Sequence, residues 1–335
     1  MEGIETARDK RMARNAPGKH FRKGISLPEI IRMFPDDEAA KQWFTEERWP
    51  KGPDCPHCGS TNVLSGAKHV MPYRCREKGC HKRFSVRSKT CMEASHIGFQ
   101  GWAIAIYQIA VSLEGVSSMR LHRDLDITQK SAWHLAMRLR KALENSGETV
   151  KFAEAEIDET YIGGIEKNKH RRKRLRSGRG GVGKSIVAAA KGRETGRIVA
   201  EVVPDTKGDV AGFRQKAHDR RALSTRTRIR PMWGLGKRAV ARTRRCATGW
   251  ASTYVRERAH TNGVESFWAT VERGHKGVFH KFSKKHLQRY VDEFAGKHNA
   301  RNWDTIDQMR SIYRRMIGKR LKYEDLIADN GARKA

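Results

Sequence analysis

The sequence predicts an α+β protein built of several domains, and three observations support this prediction. Four cysteines are grouped within residues 55–80, residues 98–144 carry apolar side chains at helical spacing, and strand-like alternation begins after Glu148. A chain of 335 residues is long enough to bury a core in each of two or three domains.

The formal net charge of +32 and the pI near 10.4 indicate a polyanionic partner. A field of this sign attracts nucleic acid, so double-stranded DNA is the predicted partner. Membrane binding is the alternative, but no apolar run approaches the roughly 18 residues that a spanning helix requires. The N-terminal residues lack the apolar stretch of a signal peptide. We therefore expect a cytoplasmic protein that is associated with the nucleoid and not with a membrane.

The N-terminal part of the chain is predicted to contain a tail and a first domain. Residues 1–25 are polar and are predicted to form a mobile basic N-terminus. The first domain, residues 26–92, combines helix with a cysteine module. Ser26 and Asp36 precede apolar residues at helical spacing, and their side chains are of the type that caps helix N-termini.

Two cysteine pairs separated by a hairpin-length segment predict a closed, structural zinc site. The four predicted Zn²⁺ ligands are Cys55, Cys58, Cys75 and Cys80. His57 and His81 lie beside the pairs as alternative ligands, and four buried thiols without metal are the other interpretation. Cys91 and Cys246 have no partner at ligand spacing and are interpreted as packing residues. A ribbon of this size depends on its metal for folding.

Residues 93–148 are predicted to be a helical DNA-binding segment. Its helices are predicted near 98–113, 117–124 and 128–144, with Thr128 as the N-cap of the last. The last two helices resemble a helix-turn-helix, whose second helix enters the major groove while basic residues hold phosphates. The candidate DNA-binding residues are Gln129, Lys130 and Arg138, with Arg140 beside them. The alternative is an ordinary helical hairpin with a solvated basic face.

The next predicted domain, residues 149–300, begins with three consecutive strands joined by turns that contain Gly164, Gly192 and Gly196. Asp158 is predicted to end the first of these strands. Helical spacing returns within residues 261–277 and 283–302. Residues 301–335 are predicted to form C-terminal helices, near 304–317 and 322–329, and a tail.

Residues Gly178 to Ser185 match the G-x-x-x-x-G-K-[ST] pattern of a phosphate-binding loop. Such a loop leaves a strand and opens a helix, whereas this segment follows a basic run and precedes a strand pattern. We therefore reject nucleotide hydrolysis and interpret residues 168–184 as a basic hairpin loop that contacts a DNA backbone. The candidate DNA-binding residues in this loop are Lys169, Arg171, Arg172 and Lys173.

Four segments resemble the bacterial zinc-ribbon insertion-sequence transposases, whose catalytic core is of the DDE, ISXO2-like type. The segments are FPDDEAAKQWFTEERWPKGPDCPHCGS, DETYIGGIEKNKH, HTNGVESFW and KHLQRYVDEFAGKHN. The resemblance implies an RNase-H-like α/β core with C-terminal helices. It also implies a protein that binds the terminal inverted repeats of its element, cleaves DNA, joins it to a target, and works as a homo-oligomer on DNA.

The same resemblance implies a catalytic site that holds two Mg²⁺ or Mn²⁺ ions roughly 3.5–4 Å apart. Asp158 matches the first metal-binding Asp, Asn262 matches the third position, and Glu265 lies one helical turn further on. Arg273 is a candidate DNA-binding residue nearby, whereas Glu272 stands where the family commonly has Lys. The alternative for Asp158 and Asn262 is a strand-end surface carboxylate and a helix cap.

The second catalytic Asp of the family is missing from this chain. Between Arg220 and Arg256 there is no Asp or Glu, while Arg and Lys occur eleven times. One permitted set of codons for residues 224–233, read two bases later, encodes Tyr-Thr-Asp-Glu-Asn-Pro-Ala-Tyr-Val, which is the expected motif. Its Asp codon straddles Arg226 and Thr227.

The same offset applied to residues 246–253 yields Arg-His-Gly-Val-Gly-Glu-Tyr, which resembles the next family segment. We infer two compensating frameshifts that bracket about residues 215–253, and a genuine basic insertion that contacts DNA is the alternative. Because an Arg-rich segment lacks the alternation of a central strand, local disorder and impaired cleavage are predicted. The competing function is that of a catalytically inactive DNA-binding protein derived from a transposase.

Overall fold

The computed structural model describes residues 22–144, 151–164, 169–175, 183–204, 212–213, 217–227, 243–246 and 262–328. For residues 218–227 and 243–246 only the backbone is described. Three predicted segments lie wholly or partly outside the described residues. They are residues 1–21 of the predicted mobile N-terminus, residues 178–182 of the predicted basic loop, and the C-terminal tail from residue 329. No helix in these described ranges is both long and apolar enough to cross a membrane.

The secondary structure alternates between helical and sheet segments along the chain. In chain order, the helices are α1 (Leu27–Met33), α2 (Asp37–Arg48), α3 (Phe99–Val111), α4 (Ser118–Leu125), α5 (Gln129–Leu143), α6 (Asn262–Arg273), α7 (Leu287–Ala300), α8 (Thr305–Met316) and α9 (Tyr323–Ile327). The strands are β1 (Val63–Leu64), β2 (Tyr73–Cys75), β3 (Arg83–Phe84), β4 (Phe152–Ile162), β5 (Ser185–Gly192), β6 (Ile198–Val203), β7 (His218–Thr227) and β8 (Thr243–Cys246). A π-helical turn, Gly274–Phe279, follows α6 directly.

The described residues form two compact units. The first contains the chain up to Ser112, Ser118–Ala142 and Ala300–Ile327, and the second contains Leu113–Ser117 and Leu143–Asn299. The helices after residue 300 therefore belong to the same unit as the cysteine module and α3 to α5. The sequence had predicted three separate segments here, at 26–92, 93–148 and 301–335.

Local capping explains where the first helices begin. The Ser26 hydroxyl accepts the Glu29 N–H while the Glu29 carboxylate accepts the Ser26 N–H at 2.7 Å, which forms a capping box. Asp36 Oδ1 accepts the Ala39 N–H at 2.8 Å at the start of α2. The Thr128 hydroxyl accepts the Ser131 N–H at 3.2 Å before α5. The capping roles predicted for Ser26, Asp36 and Thr128 are confirmed.

Helix α8 completes the core of the first unit although it lies far from it in sequence. The Tyr313 ring is fully buried and packs against Phe44 with ring centroids 4.7 Å apart. Arg310 and Arg314 both pair with Glu47 of α2, at 2.6 and 3.1 Å. Such packing adds aromatic area and charge pairing that the short N-terminal helices do not supply alone.

The second unit is built around a five-stranded sheet in the order β6-β5-β4-β7-β8. Strands β4, β5 and β6 are antiparallel neighbours, whereas β7 pairs with β4, and β8 with β7, in parallel. The central residues of β4, Ala155 to Asp158, are all buried. The strand is therefore covered on both faces, which explains its continuous burial in place of simple alternation.

Side chains of α7 cover the edge strand β6. Gln288 accepts the Val202 N–H at 2.7 Å and donates to the Ala200 carbonyl at 3.2 Å. Asn299 accepts the Ile198 N–H at 2.7 Å and donates to the Ile198 carbonyl at 2.9 Å. These amides occupy backbone groups that an open sheet edge would expose.

Three expectations for the second unit need correction or completion. Asp158 does not end β4, because the hairpin pairing with β5 continues to Ile162. The parallel pairing with β7 stops beside Ile157, so Asp158 lies where the sheet loses one neighbour. Ser185 starts a strand, which confirms the strand predicted after the glycine-rich segment. The expectation of local disorder is wrong for the backbone of residues 218–227 and 243–246, which form β7 and β8.

Candidate functional site

Four cysteine thiols of the first unit converge on one point. The ligand sulfurs of Cys55, Cys58, Cys75 and Cys80 all lie within 4.8 Å of one another. The Cys55–Cys80 and Cys58–Cys75 sulfur distances are 3.7 and 3.6 Å. Tetrahedral Zn²⁺ with Zn–S bonds of about 2.3 Å places its sulfurs about 3.8 Å apart, so the four thiols fit this ion. Neither His57 nor His81 belongs to this group.

The ribbon holds these thiols on a small aromatic core. The Tyr73 ring lies 5.1 Å from Trp49 and 5.5 Å from Phe84. The pKa of the Cys55 thiol, which burial acts to raise, is lowered to about 7 because backbone N–H groups of His57 and Cys58 and neighbouring thiols stabilise the thiolate. Burial raises the pKa of Cys75 to about 12. A bound cation would overcome that cost, since it deprotonates coordinating thiols.

In the second unit, the predicted metal-binding Asp lies in the middle of the sheet. Asp158 is 9 % exposed and pairs with Ala189 of β5. Alternate side chains of a strand lie on the same face, so Glu154, Glu156 and Asp158 share one face of β4. The opposite face carries Ala155 and Ile157, which belong to a buried apolar cluster. Asp158 is therefore on the polar face of a strand that is otherwise packed.

Glu156 attaches the start of α6 to this same face, a contact that sequence reasoning missed. Its Oε2 atom accepts the Gly263 N–H at 2.9 Å and the Val264 N–H at 3.2 Å. A Cβ on Gly263 would lie 2.7 Å from that oxygen and 2.8 Å from Lys191 Nζ, so a side chain there would displace one or both of these groups. The signal in the sequence is the alternation of three acids in EAEID together with the Asn-Gly pair at the helix start.

The other candidate catalytic residues lie on either side of the amides that Glu156 holds. Asn262 is the exposed first residue of α6, and Glu265 is half-buried in its first turn. Glu272 is exposed and pairs with Lys276 at 3.0 Å. Arg273 donates to Glu114 at 2.9 Å and to the Thr270 hydroxyl at 3.2 Å, so its guanidinium is held by protein partners.

The backbone register brings the acid-free segment beside the predicted catalytic strand. Glu156 pairs with Thr225 and Ile157 pairs with Arg226 in the parallel ladder between β4 and β7. The Asp codon of the alternative frame straddles positions 226 and 227. The alternative frame therefore predicts an acid at the end of the ladder between β4 and β7.

The predicted helix-turn-helix residues divide into exposed and buried ones. Gln129 and Lys130 are exposed at the start of α5, and the Lys130 ammonium lies 4.5 Å from the centroid of the Tyr323 ring. Arg138, however, is 8 % exposed, and its Nε donates to the Leu321 carbonyl at 3.3 Å. Burial lowers its pKa. The guanidinium of Arg138 is directed into the first unit, and its burial argues against the predicted DNA contact.

The basic loop predicted at residues 168–184 is described only in part. Residues Arg171–Lys173 form a single 3₁₀ turn, in which Arg171 and Arg172 are exposed. Lys169 is half-buried and its carbonyl accepts from Arg174 at 2.8 Å. The side chain of Lys173 lies outside the described atoms.

A second basic surface, the basic turn, spans residues 274–286. Between Arg273 and Val291 the sequence has no acid, and the exposed lysines of the turn are Lys276, Lys281, Lys284 and Lys285. Aromatic rings pack against one another within and beside this turn: Phe282 is stacked on Tyr290 with ring centroids 4.4 Å apart, and Phe279 meets Tyr290 edge-on with ring centroids 5.0 Å apart. The long acid-free interval was visible in the sequence, but its aromatic support was not.

Comparison with known families gives two matches. An ISXO2-like transposase domain matches residues 153–299, which include β4, the five-stranded sheet and α6. A transposase zinc-ribbon domain matches residues 35–83, which include the four cysteines. No curated protein and no solved structure matches the chain. The two matched domains follow one another in the order of the sequence, and the chain belongs to the zinc-ribbon transposases whose catalytic domain is ISXO2-like.

Proposed function

We propose that this transposase binds the inverted repeats of its element as a homo-oligomer and that its second unit is an RNase-H-like nucleotidyl transferase core. The strand order β6-β5-β4-β7-β8, with β4 in the centre and β7 parallel to it, supports this assignment. The net charge of +32 supports the DNA partner. Structural Zn²⁺ held by the four cysteines would maintain the ribbon.

Asp158 would hold Mg²⁺ or Mn²⁺ together with Asn262 or Glu265. Carboxylate oxygens are the donors that these ions prefer and an amide oxygen is a weaker one, and Asp158 lies on the face of β4 where Glu156 holds the start of α6. Two such ions activate the attacking hydroxyl and stabilise the leaving oxygen of a phosphodiester. The protein residues would orient the scissile phosphate against Asp158, while exposed cations bind the flanking backbone.

The observation that carries this proposal is the pairing of Ile157 with Arg226. The β7 position that would supply the second acid lies in a segment without Asp or Glu, so the ion site is incomplete. We infer that two frameshifts bracketing about residues 215–253 removed this acid. Strand cleavage by this chain is therefore impaired, and the same observation favours a DNA-binding protein without catalysis as the second candidate.

A cleavage assay separates these functions. The zinc-loaded protein is incubated with DNA that carries the repeats flanking its own gene, with Mg²⁺ or Mn²⁺, beside the Asp158→Asn variant. Specific binding without nicking supports an impaired core. Nicking that the Asp158→Asn variant lacks identifies a working enzyme and overturns the loss of the second acid. Absence of any preference for the repeats overturns the assignment of end recognition.

A further inference from the structure

Glu156 makes a buried contact that the catalytic assignment does not use. The residue is 4 % exposed, and one carboxylate oxygen accepts two successive backbone N–H groups at the N-terminus of α6. These N–H groups have no partner within a helix, so an acceptor there stabilises the helix start. The acceptor is not a local cap, because it comes from a strand 107 residues away in sequence.

Cations of the neighbouring strand and turn complete the contact. Arg193 Nε lies 3.9 Å from the second oxygen of Glu156, and Arg193 also lies 3.6 Å from Glu154. Lys191 donates to the Gly263 carbonyl at 3.4 Å. A buried carboxylate with two N–H donors and a nearby guanidinium has its charge compensated, which is the condition under which such a group is stable.

We propose that Glu156 is a positioning residue, which sets the first turn of α6, with Asn262 and Glu265, against the strand that carries Asp158. This inference rests on the proposed function, since it assigns the ion site to those residues. Residues 156 and 158 share one face of β4. Fixing the Gly263 and Val264 amides to Glu156 therefore fixes the flanking side chains relative to the Asp158 carboxylate, as a supporting contact does for a metal ligand.

A rival interpretation makes Glu156 the acid that replaces the missing Asp. The geometry argues against it, because one oxygen is engaged by two amides and the other faces Arg193. A metal ligand would have to abandon those donors, and the start of α6 would lose its attachment. The two interpretations predict different results for the Glu156→Gln change. Glutamine keeps an oxygen at the same reach but is a poor ligand for Mg²⁺ or Mn²⁺.

The test uses the full zinc-loaded chain with Glu156→Gln, Glu156→Asp and Glu156→Ala. Glu154→Ala is the matched control, since Glu154 is on the same face and also contacts Arg193. Hydrogen exchange of peptides covering 262–273 is measured well below the unfolding temperature, with peptides of β5 and α7 as internal references. Mn²⁺ binding by electron paramagnetic resonance is measured on the same proteins, beside Asp158→Asn.

We expect the exchange of 262–273 to accelerate at least about tenfold in the Ala and Asp variants, with the reference peptides unchanged. The Gln variant and Glu154→Ala should stay within about threefold of the parent. The positioning role is overturned if the Ala and Asp variants accelerate exchange equally in all peptides, or if they leave the exchange of 262–273 unchanged. The positioning role is also overturned if the Gln variant binds Mn²⁺ as weakly as Asp158→Asn does. That result would identify Glu156 as a metal ligand. If the parent binds no Mn²⁺, the ion site of the proposed function fails, while the exchange data still decide the role of Glu156.

Discussion

Ile157 of β4 is paired with Arg226 of β7 in a parallel register, one residue before Asp158. Continuing this register by one residue sets Asp158 opposite Thr227, the last residue of β7. Paired positions of adjacent strands belong to the same face of a sheet, so positions 158 and 227 share the face of Glu156. Of the two positions that the Asp codon of the proposed alternative frame straddles, this extended register favours 227.

The Thr227→Asp change is expected to strengthen the proposed divalent-ion site of this chain. A second carboxylate opposite Asp158 adds a hard oxygen ligand and should tighten Mn²⁺ binding about tenfold or more, a gain of about 1.4 kcal/mol. Electron paramagnetic resonance titration of free Mn²⁺ measures the effect. Thr225→Asp is the matched control, because position 225 pairs with Glu156. The carboxylate oxygens of Glu156 are already engaged by the Gly263 and Val264 amides and by Arg193. An equal gain in the control, or a gain that persists when Asp158→Asn is added, contradicts the register argument.

Replacement of Cys75 by serine is expected to remove zinc and unfold the ribbon. Structural zinc sites supply on the order of 10 kcal/mol of apparent folding free energy, more than the few aromatic contacts of Trp49, Tyr73 and Phe84 supply. Zinc content by atomic emission and exchange of peptides within 51–90 report both effects. Cys91→Ser is the control, since Cys91 is buried but lies outside the sulfur cluster. Full zinc content in Cys75→Ser would remove the assignment of this residue as a ligand.

Local features of the fold were predictable from the sequence because their causes are local. Helix α3 was predicted near 98–113 and spans Phe99–Val111, since apolar spacing and its flanking breaks act within a few residues. The convergence of the four cysteine thiols follows in the same way from their spacing. The Asp158 strand was predicted, but its end was not, because only the partner strand β5 decides that β4 continues to Ile162.

Long-range contacts were outside the reach of such reasoning. The sequence shows only that Glu156 is an acid within a strand. Its proposed role depends on backbone amides that begin 107 residues further along the chain. Arg138 appeared to be a DNA contact because its helix is basic, yet its partner carbonyl lies 183 residues further along the chain. Charge and periodicity specify which residues are polar but not which polar residues become buried partners.

The Arg138→Gln change is expected to affect stability and not DNA affinity. Removing the guanidinium takes one of two contacts from the Leu321 carbonyl, which keeps His134 Nε2 at 3.2 Å, and loses one buried hydrogen bond, which costs about 1 kcal/mol in the free energy of unfolding. Urea denaturation followed by circular dichroism measures this loss. Lys130→Gln, on the exposed start of the same helix, should change stability little. A variant that loses DNA binding with unchanged stability would restore Arg138 as a phosphate contact.

The basic turn is expected to contact a DNA backbone, and salt dependence tests this with two lysines. Lys281 and Lys284 are exposed on a turn that the Phe282 and Tyr290 rings support, so their substitution should leave the fold intact. Each phosphate contact adds about 0.9 to the slope of log affinity against log salt, so Lys281→Gln with Lys284→Gln should lower the slope by about 1.8. The same charge change at the exposed Lys51 and Lys322 is the matched control. Because both double variants have equal net charge, an effect of overall charge would lower the two slopes alike, and only a phosphate contact at the turn lowers one of them.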